Sequence, residues 1–240
     1  SGLSSILIPN GVINIGDYAF YGCQGLEKVE ISDNVTSIGD YAFSDCTGLT
    51  NISLGNSITT IGLSAFSNCC NIENVVIPDS VITIGKSAFS SCTALSEIIM
   101  GNSVVDIGNF AFDSCCNLTN ITIPNSVVTI GYYAFDGCSS LESITLPFIG
   151  NMLDGASDTH FGYIFGASNS SVNYQKVPAS LKEVIITGST EIGSYAFSGC
   201  DDLNNSTLPN SLKTIGTSAF SGCSGLTNIV IPETVETIGA

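Results

Sequence analysis

The chain has 240 residues, of which 44% are hydrophobic and 11% are charged. Five lysines, no arginine and 21 acidic residues give a formal net charge of −16. This composition argues against binding to nucleic acid or to an anionic membrane surface, because both partners require clustered Lys or Arg side chains. The sequence also contains no run of about twenty apolar residues, so it predicts no membrane-spanning helix.

A 23-residue unit is repeated along the chain, with the consensus I-G-x-x-A-F-x-x-C-x-x-L-x-x-I-x-I-P-x-x-V-x-x. A fixed period of this size indicates a solenoid, in which each coil buries its apolar side chains against its neighbours. The repeat phenylalanines lie one unit apart and resume in the same phase after a single gap, at Phe20, Phe43, Phe66, Phe89, Phe112, Phe135, Phe197 and Phe220.

Within each unit, the segment L-x-x-I-x-I has the period-two alternation of a half-buried strand. In one copy, Ile121 and Ile123 are predicted to point inward, while Asn120 and Thr122 point outward. The proline or glycine that usually follows ends the strand. Ten copies predict ten parallel strands that lie side by side in one sheet. Ser206 replaces the inward isoleucine of its strand, and we expect it to hydrogen-bond locally or to leave a small packing defect.

The rest of the unit is predicted to lead the chain to the next strand. V-x-x-I-G supplies two further inward residues on the opposite wall and a glycine suited to a corner with positive φ. A-F-x-x-C is too short for a stable helix, so it is predicted to form one helical or 3₁₀ turn that packs a small Ala beside a large Phe.

Eight of the ten cysteines occupy one slot of the unit, three residues before the strand leucine. They are predicted to form a column of buried thiols that donate weak hydrogen bonds to turn carbonyls. Disulfides between neighbouring coils are not expected, because bridging would distort the repeat. The extra residues Cys70 and Cys116 create two vicinal pairs, but these lack CxxC spacing and a nearby histidine and predict no metal site.

The regular repeat is interrupted between residues 147 and 180 by one expanded coil. The alignment places Phe161 in the slot of the repeat isoleucine and Phe165 in that of the repeat phenylalanine. Segments 154–158 and 166–176 are predicted to project as loops, which are either recognition elements or tolerated surface bulges. The aromatic side chains predicted to fill the core of this coil are Phe148, Phe161, Tyr163 and Phe165.

The repeat strongly resembles the BspA-like class of leucine-rich repeats, whose signature is intact in Ile15-Gly16, Ala19-Phe20 and Cys23 and recurs in the regular coils. The resemblance implies a curved, right-handed leucine-rich-repeat solenoid with a ten-strand parallel sheet on its concave side. It also implies a location on the exterior of bacteria or protozoa, and adhesion to host matrix proteins or to other cells. It implies no catalytic residues and no cofactor.

Candidate catalytic and metal-binding residues are few. His160 is the only histidine in the sequence, and no partnered Ser or Cys nucleophile lies at a recognisable spacing. We expect it to pack in a loop or against aromatic rings. Asp154 and Asp158 have oxygen ligands to offer, but their spacing lacks the loop pattern of a calcium site. The sequence therefore predicts a protein that is not an enzyme and has no metal centre.

Two outward rows of strand residues are predicted to form a nearly neutral face of Asn, Ser, Thr and β-branched side chains. One interpretation is that these residues simply suit strands. The other is that the face is a platform for an extended polypeptide or a glycan, as in many solenoids. The candidate binding residues on this face are Asn51, Asn74, Val76, Glu97, Ile99, Asn120, Thr122, Thr145, Glu183 and Ile185.

Two functions are consistent with these sequence features. One is an extracellular, bacterial module that binds a protein or glycan of a host or neighbouring cell, through this face or the expanded coil. The other is a structural spacer in a larger cell-surface protein, with no ligand of its own. Residues 1–240 are predicted to form a single solenoid domain whose ends are both cut through repeats, so end-to-end self-association through uncapped coils is also expected.

Overall fold

The computed structural model describes residues 2–153 and 159–240. In these residues the chain winds into a parallel β-solenoid, in which each regular coil places one strand on a first face and a shorter strand on a second face. This architecture confirms the repeat solenoid that the 23-residue period predicts.

The strands of the first face are short because the alternating segment between the repeat leucine and proline is short. The described residues form ten of them, all in parallel arrangement: β1 (Ser5–Ile8), β3 (Lys28–Ile31), β5 (Asn51–Ser53), β7 (Asn74–Val76), β9 (Glu97–Ile99), β11 (Asn120–Thr122), β13 (Ser143–Leu146), β14 (Glu183–Ile186), β16 (Asn205–Thr207) and β18 (Asn228–Ile229).

Hydrogen-bonded pairing divides the first face into three segments, which comprise β1 to β5, β7 with β9, and β11 to β18. Register follows the repeat, so Val75 of β7 lies beside Ile98 of β9. The expanded coil does not disturb this register, because Ile144 of β13 pairs directly with Val184 of β14 on its far side.

The second face is also a sheet, whereas the sequence pattern V-x-x-I predicts only inward side chains on that wall. Its two-residue strands form one six-stranded and one three-stranded sheet, which the expanded coil separates. These strands are β2 (Asn14–Ile15), β4 (Ser37–Ile38), β6 (Thr60–Ile61), β8 (Thr83–Ile84), β10 (Asp106–Ile107), β12 (Thr129–Ile130), β15 (Glu191–Ile192), β17 (Thr214–Ile215) and β19 (Thr237–Ile238).

The core contains the predicted file of phenylalanine rings. Phe43 and Phe66 stack with their centroids 5.2 Å apart and their planes within 2° of parallel. The next pair, Phe66 and Phe89, stacks at 5.3 Å. All three rings are fully buried. The file therefore removes a large aromatic surface from water in each coil, which stabilises the stack of coils.

The prediction that the I-G glycine occupies a positive-φ corner is wrong. In the second coil, positive φ is found instead at Tyr41 (56°), which lies two residues after Gly39. It is also found at Asp45 (59°), which lies two residues after Phe43. The I-G glycines are required for a different reason. A Cβ atom added to Gly85 would lie 2.6 Å from the backbone carbon of Gly62 in the preceding coil. Only glycine lets successive coils approach so closely at this corner.

The expanded coil carries two 3₁₀ turns, Phe161–Phe165 and Ser170–Val172, and one short helix, α1 (Asn173–Lys176). The 166–176 segment therefore does not simply project as a loop: its exposed residues alternate with buried Gly166, Ala167 and Asn173. The predicted loop 154–158 lies outside the described residues. As predicted, the expanded coil contributes aromatic side chains to the core, with Phe148, Phe161 and Phe165 buried and Tyr163 packed against them.

The alignment of Phe161 with the repeat isoleucine is wrong, because the 3₁₀ turn brings two phenylalanines into the aromatic file. Phe165 faces the preceding coil, where its ring lies 6.5 Å from that of Phe135. Phe161 faces the following coil, where its ring lies 5.0 Å from that of Phe197 and its N–H donates to the carbonyl oxygen of Ala196 (2.8 Å). The two rings together continue the file across the interruption.

Candidate binding face

The ten candidate residues all lie at outward positions on the strands of the first face, because each follows or precedes an inward-pointing residue. Their exposure divides them into two groups. Those on β5 to β11 are exposed, and those on β13 and β14, namely Thr145, Glu183 and Ile185, are partly covered by their neighbours.

Two apolar side chains stand side by side at the middle of this face. Val76 of β7 and Ile99 of β9 are in register, and their exposed fractions are 57% and 54%. Their strand neighbours Val75 and Ile98 point inward and are buried. The exposed pair is thus an apolar surface that the coil does not need for its own core.

A cleft of about 330 Å³ lies beside this pair, where hydrogen-bonded pairing lapses between β9 and β11. The candidate residues Glu97, Ile99, Asn120 and Thr122 line it, together with Met100 and other neighbours. We call the set Asn74, Val76, Glu97, Ile99, Asn120 and Thr122 the central patch.

The surroundings of the central patch add one carboxylate that the two outward rows do not contain. Glu73 is exposed at the position just before β7, and Glu97 within the patch has no ion-pair partner among the described residues. Elsewhere on this face Lys28 pairs with Glu30 (2.5 Å), and Lys182 pairs with Asp202 (3.2 Å). Glu73 is absent from the predicted candidates because the two outward rows comprise only positions within the strands. The position before each strand is exposed or partly exposed in every coil, which is the pattern that identifies Glu73.

The partly covered end of the face is tied by side-chain hydrogen bonds. The carboxylate of Glu183 accepts hydrogen bonds from the Ser143 hydroxyl (3.2 Å) and from the side-chain amide of Asn205 (2.9 Å). These bonds link three neighbouring strands and satisfy part of the carboxylate's capacity to accept hydrogen bonds. The exposed side chains that could contact a ligand are therefore concentrated in the central patch. They are not spread evenly over all ten candidate residues.

The cysteine column is structural, as predicted. All ten cysteines are free thiols, and Cys92 donates its S–H to the carbonyl oxygen of Phe66 in the preceding coil (3.3 Å). The same bond joins Cys69 to Phe43 (3.1 Å). Burial raises the pKa of Cys92 to about 12. Such a thiol is neither a nucleophile nor a metal ligand at neutral pH, because both roles need the thiolate.

His160 also has the packing role that the sequence predicts. It is buried, its Nε2 lies 2.9 Å from the carbonyl oxygen of Ala167, and its ring meets Tyr163 edge-on at 6.1 Å. Within residues 2–153 and 159–240, no three His, Cys, Asp or Glu side chains converge as a metal site would require. Asp154 and Asp158 lie outside these ranges. Across the same ranges, no helix has the length and hydrophobicity needed to cross a bilayer.

Comparison with known proteins agrees with the repeat geometry. The family model of the BspA type leucine rich repeat region matches in six copies over residues 1–74, 59–161 and 169–240. The chain belongs to this family. No curated protein matches its sequence.

Solved structures extend the similarity of this BspA-type protein. A leucine rich cell surface protein from Faecalibacterium prausnitzii is 31% identical, with a TM-score of 0.61, over 98% of this chain and 69% of that one. The pneumococcal vaccine antigen PcpA is 22% identical, with a TM-score of 0.54, over 99% of this chain and 68% of that one. A leucine-rich repeat protein from Eubacterium ventriosum is 21% identical, with a TM-score of 0.51, over 99% and 81%. The last two similarities concern the fold alone.

Proposed function

We propose that this protein is a module of a bacterial cell-surface protein that binds a protein ligand through the central patch. The observation that carries the proposal is the in-register pair Val76 and Ile99, exposed beside a cleft of about 330 Å³ that Glu97 also lines. Buried aliphatic anchors surrounded by polar groups are the usual centre of a protein interface.

The charge of the patch indicates the chemistry of the ligand. Glu73 lies three residues before Val76 and Glu97 lies two residues before Ile99, on a molecule whose net charge is −16. A complementary segment carries Lys or Arg next to an aliphatic or aromatic side chain, which enters the cleft lined by Ile99 and Met100. Electrostatic attraction of this kind accelerates association and selects the register of the ligand.

A location outside the cell is part of the same proposal. Membership of the BspA-type family supports it, as does the 31% identity to a protein described as a cell surface protein of Faecalibacterium prausnitzii. The function is that of a binding module and not of an enzyme, and it is supported by the structural roles of His160 and the cysteine column.

The double substitution Val76→Glu and Ile99→Glu tests the proposal. It places two further carboxylates on the apolar pair, so desolvation of the interface becomes unfavourable. Beads coated with the variant are expected to show retention at least about tenfold lower than the natural protein on cell-derived extracellular matrix and on cell monolayers. Counting beads after a fixed wash measures the effect.

The matched control is Ile13→Glu with Ile82→Glu, which adds the same charge to exposed apolar residues that immediately precede β2 and β8 of the second face. This control is expected to retain binding. Equal retention of both double variants and the natural protein would overturn the central patch as the binding site. If the natural protein is not retained on either surface, this result would favour the spacer function instead.

A further inference from the structure

The second face bears a bounded trough beside the expanded coil. Its volume is about 380 Å³, which falls within the range of roughly 300–1,000 Å³ found for small-molecule sites. It extends across three coils and lies on a different sheet from the central patch.

The floor of the trough is bare backbone at Gly85, Gly108 and Gly131. Side chains are excluded there because a Cβ atom on Gly108 would lie 2.5 Å from the backbone nitrogen of Lys86. Glycines occupy this slot along the solenoid, so a flat strip without side chains is a general product of the repeat. A strip alone is not a site.

The expanded coil turns the strip into a trough by closing one end. The Ile130 N–H donates to the carbonyl oxygen of Asn151 (2.8 Å), and Met152 forms an antiparallel bridge with Thr129. Tyr163 completes the end wall, and its ring lies 5.0 Å from that of Tyr132. The irregular segment of the expanded coil thus adds an apolar wall to a floor of polar backbone.

The polar groups of the trough offer both donors and acceptors with no net side-chain charge. Lys86 is exposed and has no ion-pair partner within the described residues. Asp106 accepts one hydrogen bond from the Thr129 hydroxyl (2.5 Å) and keeps further lone pairs. The Oδ1 of Asn109 accepts from the Tyr132 N–H (2.9 Å), which fixes the amide and leaves its NH₂ group to donate.

We propose that this trough binds a neutral saccharide, with the hydroxyls held by Lys86, Asp106 and Asn109 and the C–H face of a sugar ring against Tyr163. Hydroxyl groups need both donors and acceptors, and the C–H face of a sugar is apolar. The lining selects neither sign of ligand charge, because its charged side chains are one cation, Lys86, and one anion, Asp106. The inference does not depend on the central patch or its protein ligand.

The test measures saturation-transfer NMR signals from cellobiose, lactose, maltose and diacetylchitobiose at low-millimolar concentration. At least one of them is expected to receive saturation from the natural protein. Thr83→Trp fills the trough and is expected to weaken that signal at least about tenfold. Thr214→Trp is the matched control, since Thr214 occupies the same repeat slot in β17, beyond the expanded coil. It is expected to leave the signal unchanged.

A second variant, Lys86→Ala with Asp106→Ala, removes polar contacts without adding bulk and is also expected to weaken binding at least about tenfold. Val76→Glu with Ile99→Glu is expected to have no effect on the saccharide signal. The proposal is overturned if none of the four disaccharides receives saturation, if the trough variants bind as the natural protein does, or if sialyllactose binds in preference to lactose.

Discussion

At the level of single residues, Ser206 is a local defect in an otherwise apolar wall. Its side chain is buried in β16, and its hydroxyl has no hydrogen-bond partner among the described residues. Val184 and Ile229 occupy the same inward slot in the two flanking strands. The defect is one of the two outcomes that the sequence predicts for this position, since no local hydrogen bond forms.

Ser206→Val is therefore expected to stabilise the protein. The substitution removes an unsatisfied hydroxyl and adds apolar contact with both neighbours. Together these two effects are expected to raise the free energy of unfolding by about 1–2 kcal/mol. Thermal denaturation followed by circular dichroism measures the change in midpoint. Thr207→Val is the control, because Thr207 points outward in the same strand and is exposed. A Ser206→Val midpoint at or below that of the natural protein would contradict the expectation.

The I-G glycines make a second residue-scale prediction. Gly85→Ala forces a Cβ atom against the backbone of Gly62 and is expected to lower the free energy of unfolding by about 2–4 kcal/mol. Gly16 occupies the same slot in the first described coil, where nothing lies within 4 Å of an added Cβ atom. Gly16→Ala is therefore expected to be neutral or slightly stabilising. Similar losses from both variants in urea denaturation would refute close approach as the reason for glycine.

At the level of elements, the expanded coil connects two regular arrays whose first-face strands pair directly but whose second-face sheets are separate. Asn173 of α1 is fully buried and makes this connection with its side chain. Its Oδ1 accepts from the Gly162 N–H (3.0 Å), and its Nδ2 donates to the carbonyl oxygen of Ala196 in the next coil (3.2 Å). One amide thereby positions the 3₁₀ turn and attaches it to the following coil.

Asn173→Ala is expected to destabilise the protein by about 2–4 kcal/mol, because it leaves the buried Gly162 N–H without a partner. We expect the coils after residue 180 to unfold before the coils up to residue 146, so the denaturation curve broadens or splits. Asn169→Ala is the control, since Asn169 caps a 3₁₀ turn at an exposed position and its loss costs about 1 kcal/mol. Sharp, equal transitions in both variants would argue against this connecting role.

At the level of the whole molecule, the thiol column makes stability sensitive to alkaline pH. Burial raises the pKa of Cys92 and of Cys138 to about 12, from an ordinary value of 9.0. Above pH 9 the unfolded thiols ionise while the native ones stay protonated, so the unfolded state binds fewer protons and stability falls. The cysteines whose pKa is raised are Cys46, Cys69, Cys92, Cys115, Cys138, Cys200 and Cys223.

The free energy of unfolding is expected to be retained below pH 9 and to fall between pH 9 and 12, by about 1.4 kcal/mol per pH unit for each fully buried thiol. Urea denaturation under reducing conditions at several pH values measures this slope. Replacing both Cys92 and Cys138 with Ala separates the thiols from titrating Lys and Tyr residues, because only the thiol contribution is reduced. An unchanged slope in that variant would contradict the assignment.

Much of this architecture follows from the amino-acid sequence. Wherever the unit repeats, a residue's neighbours above and below are its own equivalents, so the Phe43, Phe66 and Phe89 file and the bond from Cys92 to Phe66 were predictable from spacing and residue type. The inward and outward assignment of Ile121 and Thr122 likewise follows from strand alternation.

Features that depend on contacts without a repeated equivalent were decided by the tertiary structure. Phe161 enters the aromatic file because of the path of the 3₁₀ turn, which the other described coils do not share. Close approach of coils, and not positive φ, requires Gly85, and this approach is visible only once backbones are stacked. The trough exists because Met152 meets Thr129 across an irregular connection. Periodicity determines what each coil places against its copy, whereas packing in three dimensions alone decides what happens where the copies differ.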